Sequence, residues 1–269
     1  MKLVLFTGCS LQHKYIADIL SENFELELIV SELGPVPPRE VFATEEAEDA
    51  AFIEAHYQKA LEREQEFFGA YSDFPEGVPQ LELPQGELDS EEISELVESI
   101  APDYLILFGS SLLRSPLLDS YRSRIVALQP GLSPYYTGTA PHMFPYFHQE
   151  PECIGASMQL VTVKEDEGEI LHQLRPEMSP DDDLHRIYQK VVHKAGKHLP
   201  GVLRGFASKN ITPQPQMPAG RIGMPEDLTA GLLREIYSKF EQGMLKEYLE
   251  DKEHRDAAQR IVDADLQLE

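Results

Sequence analysis

The sequence predicts a doubly wound, mostly parallel α/β sheet followed by a helical C-terminal extension. Three observations lead there. Short apolar runs alternate with amphipathic helical stretches up to about residue 130. One of those runs, YLILF at 104–108, is apolar throughout, as a central strand covered on both faces must be. After about residue 208 the composition turns to proline-rich loop and then to helical periodicity. A chain of 269 residues has room for one large α/β unit and an appendage, and the division is expected at 1–207 and 208–269.

In chain order, 3–6 (LVLF) is the expected first strand, the turn Thr7-Gly8-Cys9 follows, and a helix then carries Tyr15, Ile16, Ile19 and Leu20 on one stripe. Residues 25–30 (ELELIV) read as a second strand, and Pro35, Pro37 and Pro38 interrupt the chain. An acidic helix is expected over 43–68 and a short strand over 81–83. Asp89 is the expected cap of the next helix, with Glu92 three residues on in a capping-box pattern and Ile93, Leu96, Val97 and Ile100 as the buried stripe. Strands at 104–108 and 125–128 are followed by a turn-rich stretch, PGLSPYYTGTAP, and by strands at 155–163 and 170–174. Ser179, Pro180 and the run Asp181, Asp182, Asp183 mark a helix start, with Leu184, Ile187, Tyr188, Val191 and Ala195 on its apolar face. Two amphipathic helices are expected near the end, one with Leu232, Leu233, Ile236, Tyr237 and Phe240, the other with Leu245, Tyr248 and Leu249; the last dozen polar residues are expected to fray. Ligands of such sheets bind beyond the carboxyl ends of the strands, so the segments after Phe108 and Leu128 are the candidate site.

The charge balance excludes partners. With 47 acidic and 23 basic residues the formal net charge is -24, which repels phosphate backbones and anionic lipids, so neither nucleic acid nor a membrane is expected as partner. Two cysteines, Cys9 and Cys153, cannot build a disulfide framework and suggest a cytoplasmic protein. The opening MKLVLFTGCS imitates a lipoprotein signal, but its apolar run covers only residues 3–6, short of the roughly 7–15 an h-region needs.

Three segments, in order and at matching spacing, resemble the folate-dependent formyltransferase family, whose members act on glycinamide ribonucleotide, methionyl-tRNA or amino sugars. PDYLILFGSSLLRSPLL (102–118) is similar to the strand and loop whose backbone holds the folate pterin. VALQPGLSPYYTGTAP (126–141) is similar to the signature Asn-x-His-Pro-[Ser/Gly]-Leu-x-Pro-x-[Tyr/Phe]-x-Gly. VTVKEDEGEIL (161–171) is similar to the stretch with the catalytic Asp before Gly-x-Ile. The resemblance covers roughly residues 1–200 and implies a formyltransferase-like Rossmann variant with 10-formyltetrahydrofolate as formyl donor. In that chemistry an amine attacks the formyl carbon. An Asn amide and an imidazolium donate to the oxygen that gains charge, and a carboxylate orients the imidazole and helps move the proton.

Carried over by position, the Asp is Asp166, but the Asn falls on Ala127 and the His on Gln129. Alanine has no donor, and a glutamine amide donates without cycling a proton near neutral pH. Loss of one oxyanion donor costs on the order of 10²–10³ in rate, so catalysis is expected to be impaired. The rest of the signature (Pro130, Leu132, Pro134, Tyr136, Gly138) is intact. That favours deliberate replacement of the two residues over a naturally inactive homologue.

By the same resemblance the donor-binding residues are Ser110, Ser111, Leu112, Leu113, Arg114, Val163, Glu165 and Asp166, and the acceptor-binding candidates are His13, Pro130, Gly131, Tyr136, Gly138 and His142. Some of these residues have a plainer reading. Asp166 can be a turn residue, His13 a cap or packing residue, His142 a packing histidine, and His172, on a predicted strand, a core residue. Cys9 and Cys153 are read as structural, and no spacing suggests a metal site. The acidic chain and the absence of a barrel pattern after residue 208 argue against tRNA, and FTGCSLQHKY lacks the Gly/Ser-rich phosphate loop of the glycinamide ribonucleotide enzymes. The expected acceptor is therefore a small primary amine. A folate- or metabolite-binding pseudoenzyme and a 10-formyltetrahydrofolate hydrolase are the alternatives. Oligomeric state is left open, a homodimer included.

Overall fold

The computed structural model of the chain describes residues 1–34, 47–111, 113, 114, 116–138, 140–162, 168–217, 220–264 and 266. Its centre is a seven-stranded sheet. In chain order the strands are β1 (Lys2–Thr7), β2 (Glu25–Leu33), β3 (Gln80–Pro84), β4 (Tyr104–Phe108), β5 (Ile125–Gln129), β7 (Ala156–Leu160) and β8 (Ile170–Leu174), arranged β3-β2-β1-β4-β5-β7-β8. The first five pair in parallel, and β7 and β8 run antiparallel to their neighbours. The order reverses between β1 and β4, which makes the crevice at their carboxyl ends the switch point of the sheet. There Thr7 Oγ1 donates to the Phe108 carbonyl at 2.8 Å.

Two apolar layers sandwich the sheet. On one face Leu3, Leu5, Ile106, Phe108, Val126 and Leu128 pack under α1 (Leu11–Asn23), α2 (Ala47–Phe68) and α6 (Leu184–Ala207). On the other, Val4, Phe6, Leu105, Leu107 and Ile125 pack under α3 (Glu91–Ile100) and the single turn α4 (Leu117–Ser120). The alternation of one strand between two layers accounts for the unbroken apolar run of β4.

The C-terminal region joins this core. After the turn α5 (Phe144–Phe147) and the long helix α6, the helices α7 (Ala230–Glu241) and α8 (Met244–Glu250) insert Leu233, Ile236, Met244, Leu245 and Tyr248 into the first apolar layer, and α9 (Lys252–Ala258) follows. Among the described residues after 208 there is no antiparallel barrel.

Four expectations change. Ser90, not Asp89, caps α3 by accepting the Ile93 N–H at 3.3 Å, because the Asp89 carboxylate is taken by the Arg114 N–H at 2.6 Å. α6 starts four residues later than Ser179 and Pro180 imply. Asp183 caps it, accepting from the Arg186 N–H at 2.8 Å, while Asp182 closes the preceding turn by accepting the Ser179 N–H at 2.7 Å. The chain past residue 258 is docked, not frayed, through its described residues 259–264. Gln173 of β8 donates its N–H to the Val262 carbonyl and accepts the Val262 N–H at its side-chain oxygen, and His172 Nδ1 accepts the Ala264 N–H at 3.1 Å. Finally, a small parallel ribbon pairs β6 (Tyr136–Gly138) with β9 (Arg221–Gly223), two three-residue strands that periodicity cannot register.

Candidate functional site

The strands of the parallel core end in a row, and His13 lies over two of the ends. A Cβ built on Gly8 or Gly109 would stand 2.6 and 2.1 Å from its ring, so the imidazole occupies the space that side chains would fill; Gly109 also has φ +68°, which favours glycine. Its Nδ1 accepts the Ser10 N–H at 3.1 Å and lies 2.9 Å from Ser10 Oγ, so in the neutral ring Nε2 carries the hydrogen. Desolvation pulls its pKa down to about 4. At neutral pH it caps α1 as an acceptor at Nδ1 and closes the switch-point crevice with its Nε2–H towards Gly109.

Ala127 and Gln129 stand two residues apart on β5 and share the face of the second apolar layer, against which Ala127 packs. In register, Ala127 lies between Leu107 of β4 and Gln159 of β7, and Gln129 lies opposite Ser157, which pairs with Gln173 of β8. The same face therefore carries a polar stripe across three strands. Gln159, Ser157 and Gln173 are each 5 % exposed or less, so their polar atoms need partners inside the protein. Gln159 Nε2 donates to Gln129 Oε1 at 3.2 Å, and Gln216 Nε2 donates to Gln159 Oε1 at 3.1 Å and to the Gly168 carbonyl at 2.5 Å. Ser133 Oγ donates to Gln216 Oε1 at 2.6 Å. A second branch runs from Gln173 Nε2 to Ser157 Oγ at 2.9 Å and on to the Gly131 carbonyl at 2.8 Å. Every member is neutral. Gly168 joins the stripe because nothing larger fits: a Cβ there would lie 1.5 Å from the Leu160 carbonyl oxygen.

The turn after β5 is mostly framework. Gly131 is buried and receives the Ser157 hydroxyl, Pro130 is half-buried beside it, and the Ser133–Pro134 bond is cis. Tyr136 is buried among Phe144 and Cys153. Its hydroxyl donates to Glu150 Oε2 at 2.5 Å and accepts from Arg221 at 2.7 Å, and burial pushes its pKa far above the usual phenol range. Gly138 is in register with Gly223 in the ribbon. His142 turns to α6, its ring 4.7 Å from that of Tyr188, with burial lowering its pKa to about 4. These contacts give Tyr136, Gly138 and His142 structural partners. His172 is a buried residue of β8, stacked 5.2 Å from His198.

The loop after β4 is held by two carboxylates the sequence did not single out for it. Glu32, only 3 % exposed at the end of β2, accepts the Ser111 N–H at 2.5 Å and the Gly86 N–H at 2.6 Å, and Asp89 accepts the Arg114 N–H. Ser110 Oγ donates to the Ser111 carbonyl, and Leu113 is buried. Leu112, Val163, Glu165 and Asp166 lie outside the described residues. A separate cavity of about 290 Å³ is lined by Leu118, Arg122, Ser123, Leu160, Val161, Thr162 and Glu169. It sits at the amino end of β5, where the Val161 N–H donates to the Ile125 carbonyl at 2.9 Å.

A doubly wound sheet with two antiparallel strands, a switch-point crevice and a polar stripe beside its last parallel strand defines an α/β protein with a built cleft. Comparison with known proteins gives its class. The sequence profile described as formyl transferase matches residues 35–203, and the chain belongs to that family. A methionyl-tRNA formyltransferase of Trichlorobacter lovleyi is 24% identical over 141 residues, 52% of this chain and 44% of the relative, so the match spans less than half of that protein. Among solved structures, a phosphoribosylglycinamide formyltransferase from Anaplasma phagocytophilum superposes with a TM-score of 0.55 at 15% identity, over 82% of this chain and 97% of the other. A 4-N formyltransferase from Francisella tularensis gives 0.53 at 16% identity, over 82% and 75%. At these identities the structural matches establish the fold.

Proposed function

We propose that this chain binds 10-formyltetrahydrofolate and a small primary amine in the manner of a folate-dependent N-formyltransferase, with proton transfer suppressed by the residues at 127 and 129. One observation carries the reading. Ala127 and Gln129 share one face at the carboxyl end of β5, beside the strand ends where ligands of such sheets bind, and Gln129 is half-exposed there. The loop after β4, held by Glu32 and Asp89, leaves the sheet at the same end.

The bound folate supplies the formyl carbon as electrophile. Gln129 donates a hydrogen bond to an oxygen placed beyond β5. Ala127 offers none, and neither residue carries a proton away from an attacking amine. His13, held by Ser10 with Nε2–H towards Gly109, is the candidate contact for the acceptor at the switch point. The amine is read as small because the chain carries a net charge of -24 and its described C-terminal residues form helices, loop and one three-residue strand, with no barrel among them.

A second reading, a folate- or metabolite-binding protein without turnover, is favoured by the glutamine stripe. Gln129 is bonded into a chain of carboxamides on three separate segments. That suits a residue native to its position better than one substituted into an otherwise intact site, against the expectation from the signature alone. Calorimetry with 5-formyltetrahydrofolate tests what both readings share. Saturable heat at micromolar to millimolar ligand supports them, and no heat at millimolar ligand sinks them. Release of tetrahydrofolate from 10-formyltetrahydrofolate with a panel of amines, amino-sugar nucleotides included, then separates the two.

A further inference from the structure

We infer that Gln216 and Gln159 are positioning residues that fix the direction of the Gln129 carboxamide, so that the cleft at the end of β5 presents an N–H donor and takes an acceptor oxygen of its ligand. The direction follows from one group that cannot be reversed. The Gly168 carbonyl only accepts, so the Gln216 atom 2.5 Å away is its NH₂ nitrogen. The oxygen of that amide then faces the Ser133 hydroxyl at 2.6 Å, and the second N–H of Gln216 points to Gln159 at 3.1 Å. Gln159 must meet an N–H with its oxygen, which turns its own NH₂ to Gln129 at 3.2 Å. Gln129 must in turn receive with Oε1, which leaves Nε2 with no acceptor among the described residues and half-exposed to the cleft.

The orientation of one amide is thus passed through two others from a backbone carbonyl. Gln159 is 5 % exposed, so the opposite arrangement would set two N–H groups or two oxygens face to face in a place water does not reach. No member of the chain titrates near neutral pH, so the donor is presented alike across the physiological range. A family site built on an imidazole would change its charge there. Naming the bound oxygen as that of a formyl group rests on the formyl-transfer reading; the direction of the chain does not.

The experiment separates the two. Side-chain NH₂ exchange with solvent is measured by ¹⁵N NMR, with peaks assigned by their loss in Gln129→Leu, Gln159→Leu and Gln216→Met. In the unsubstituted protein the NH₂ groups of Gln159 and Gln216 are expected to be protected, and that of Gln129 to exchange at least about tenfold faster. In Gln216→Glu the carboxylate only accepts, so Gln159 turns its NH₂ towards it and offers its oxygen to Gln129. The Gln129 NH₂ then becomes the protected one and the cleft meets an oxygen. Neutral Gln216→Met, which keeps volume and removes all polarity, leaves the Gln159–Gln129 pair free to take either direction, so the Gln159 NH₂ exchanges faster and the Gln129 NH₂ no faster than before; circular dichroism confirms that each variant is folded.

A protected Gln129 NH₂ in the unsubstituted protein, or a pattern that neither Gln216 variant alters, overturns the proposal. Binding of 5-formyltetrahydrofolate is measured in parallel. Gln216→Glu is expected to weaken it by about tenfold or more, and by more than Gln216→Met does, since it substitutes repulsion for a lost hydrogen bond. Equal binding in all three proteins overturns the link from direction to ligand. If the unsubstituted protein takes no folate while the exchange pattern holds, the formyl-transfer reading fails and the oriented donor stands.

Discussion

At the junction of α2, α6 and α7 the chain gathers imidazoles around a phenol. His56 Nδ1 and His185 Nε2 each lie 3.2 Å from the Tyr237 hydroxyl, the two rings are 4.5 Å apart, and His142 sits beside Tyr188 on the same helix pair. On the opposite face of the sheet, where a proton carrier is expected, it gathers Gln129, Gln159, Gln173 and Gln216 with two serines. The groups suited to moving protons are spent on the frame, and the cleft is built from groups that only orient. The contrast matters because burial has opposite consequences in the two places. In the frame it lowers the pKa of His56 and His142 to about 4 and of His185 to about 3 and holds the rings neutral. In the cleft it costs nothing in charge and fixes direction instead.

The sharpest way to break this contrast is to move a proton carrier into the cleft. Ala127→Asn with Gln129→His is expected to raise formyl transfer by on the order of 10³ over the starting chain, and each single change by far less, because the groups act as a unit. Tetrahydrofolate release is the measurement. A restored protein that binds folate and amine yet stays inactive would mean that the missing pair is not what suppresses turnover.

Acid tests the other half. A histidine whose folded pKa lies below its unfolded value near 6.5 leaves stability intact above pH 6.5 and removes it as pH falls towards the folded pKa, because the unfolded chain takes up the protons. For His56 and His142 the window is pH 6.5 down to about 4 and for His185 down to about 3, with a loss of about 2 kcal/mol per ring at pH 5 as an order of magnitude. The urea midpoint should therefore fall steeply between pH 7 and 5, and less steeply in His185→Gln. Superimposable slopes for the two proteins would remove the histidine junction from the account. The smallest effect expected is that of Asp183→Ala. This residue caps α6 and takes Arg63 at 2.8 Å, so its loss should cost about 1–2 kcal/mol, roughly 2–8 °C in Tm, with folate binding unchanged.

Much of the frame was legible in the sequence because its signals are local. The apolar run at 104–108 and the stripe Ile93, Leu96, Val97, Ile100 need no knowledge of partners. Where two local signals compete the reading slipped by a few residues. Asp89 and Ser90 can both cap, and the choice was made by Arg114, 25 positions away. The same holds for Ser179 and Asp183. In the site, Ala127 and Gln129 stood out by departure from a pattern. Gln159, Gln173 and Gln216 did not, because a glutamine carries no periodic signal and their partners are brought together by antiparallel register and by loops up to 83 residues apart. Glu32 was invisible for the same reason: its role depends on Gly86 and Ser111, which only the sheet order brings to the end of β2.

The docking of residues 259–264 on β8 has a consequence for how the protein is made. β8 is one of the two outer strands of the sheet and is fully buried in the finished protein, in part by this segment. An unpaired outer strand is a template for another chain. During synthesis β8 leaves the ribosome roughly 90 residues before the segment that covers it, several seconds or more at ordinary elongation rates. Until then the part of β8 beyond Ile170, which pairs with Gln214 at 2.8 Å, is open to a neighbouring nascent chain on the same message.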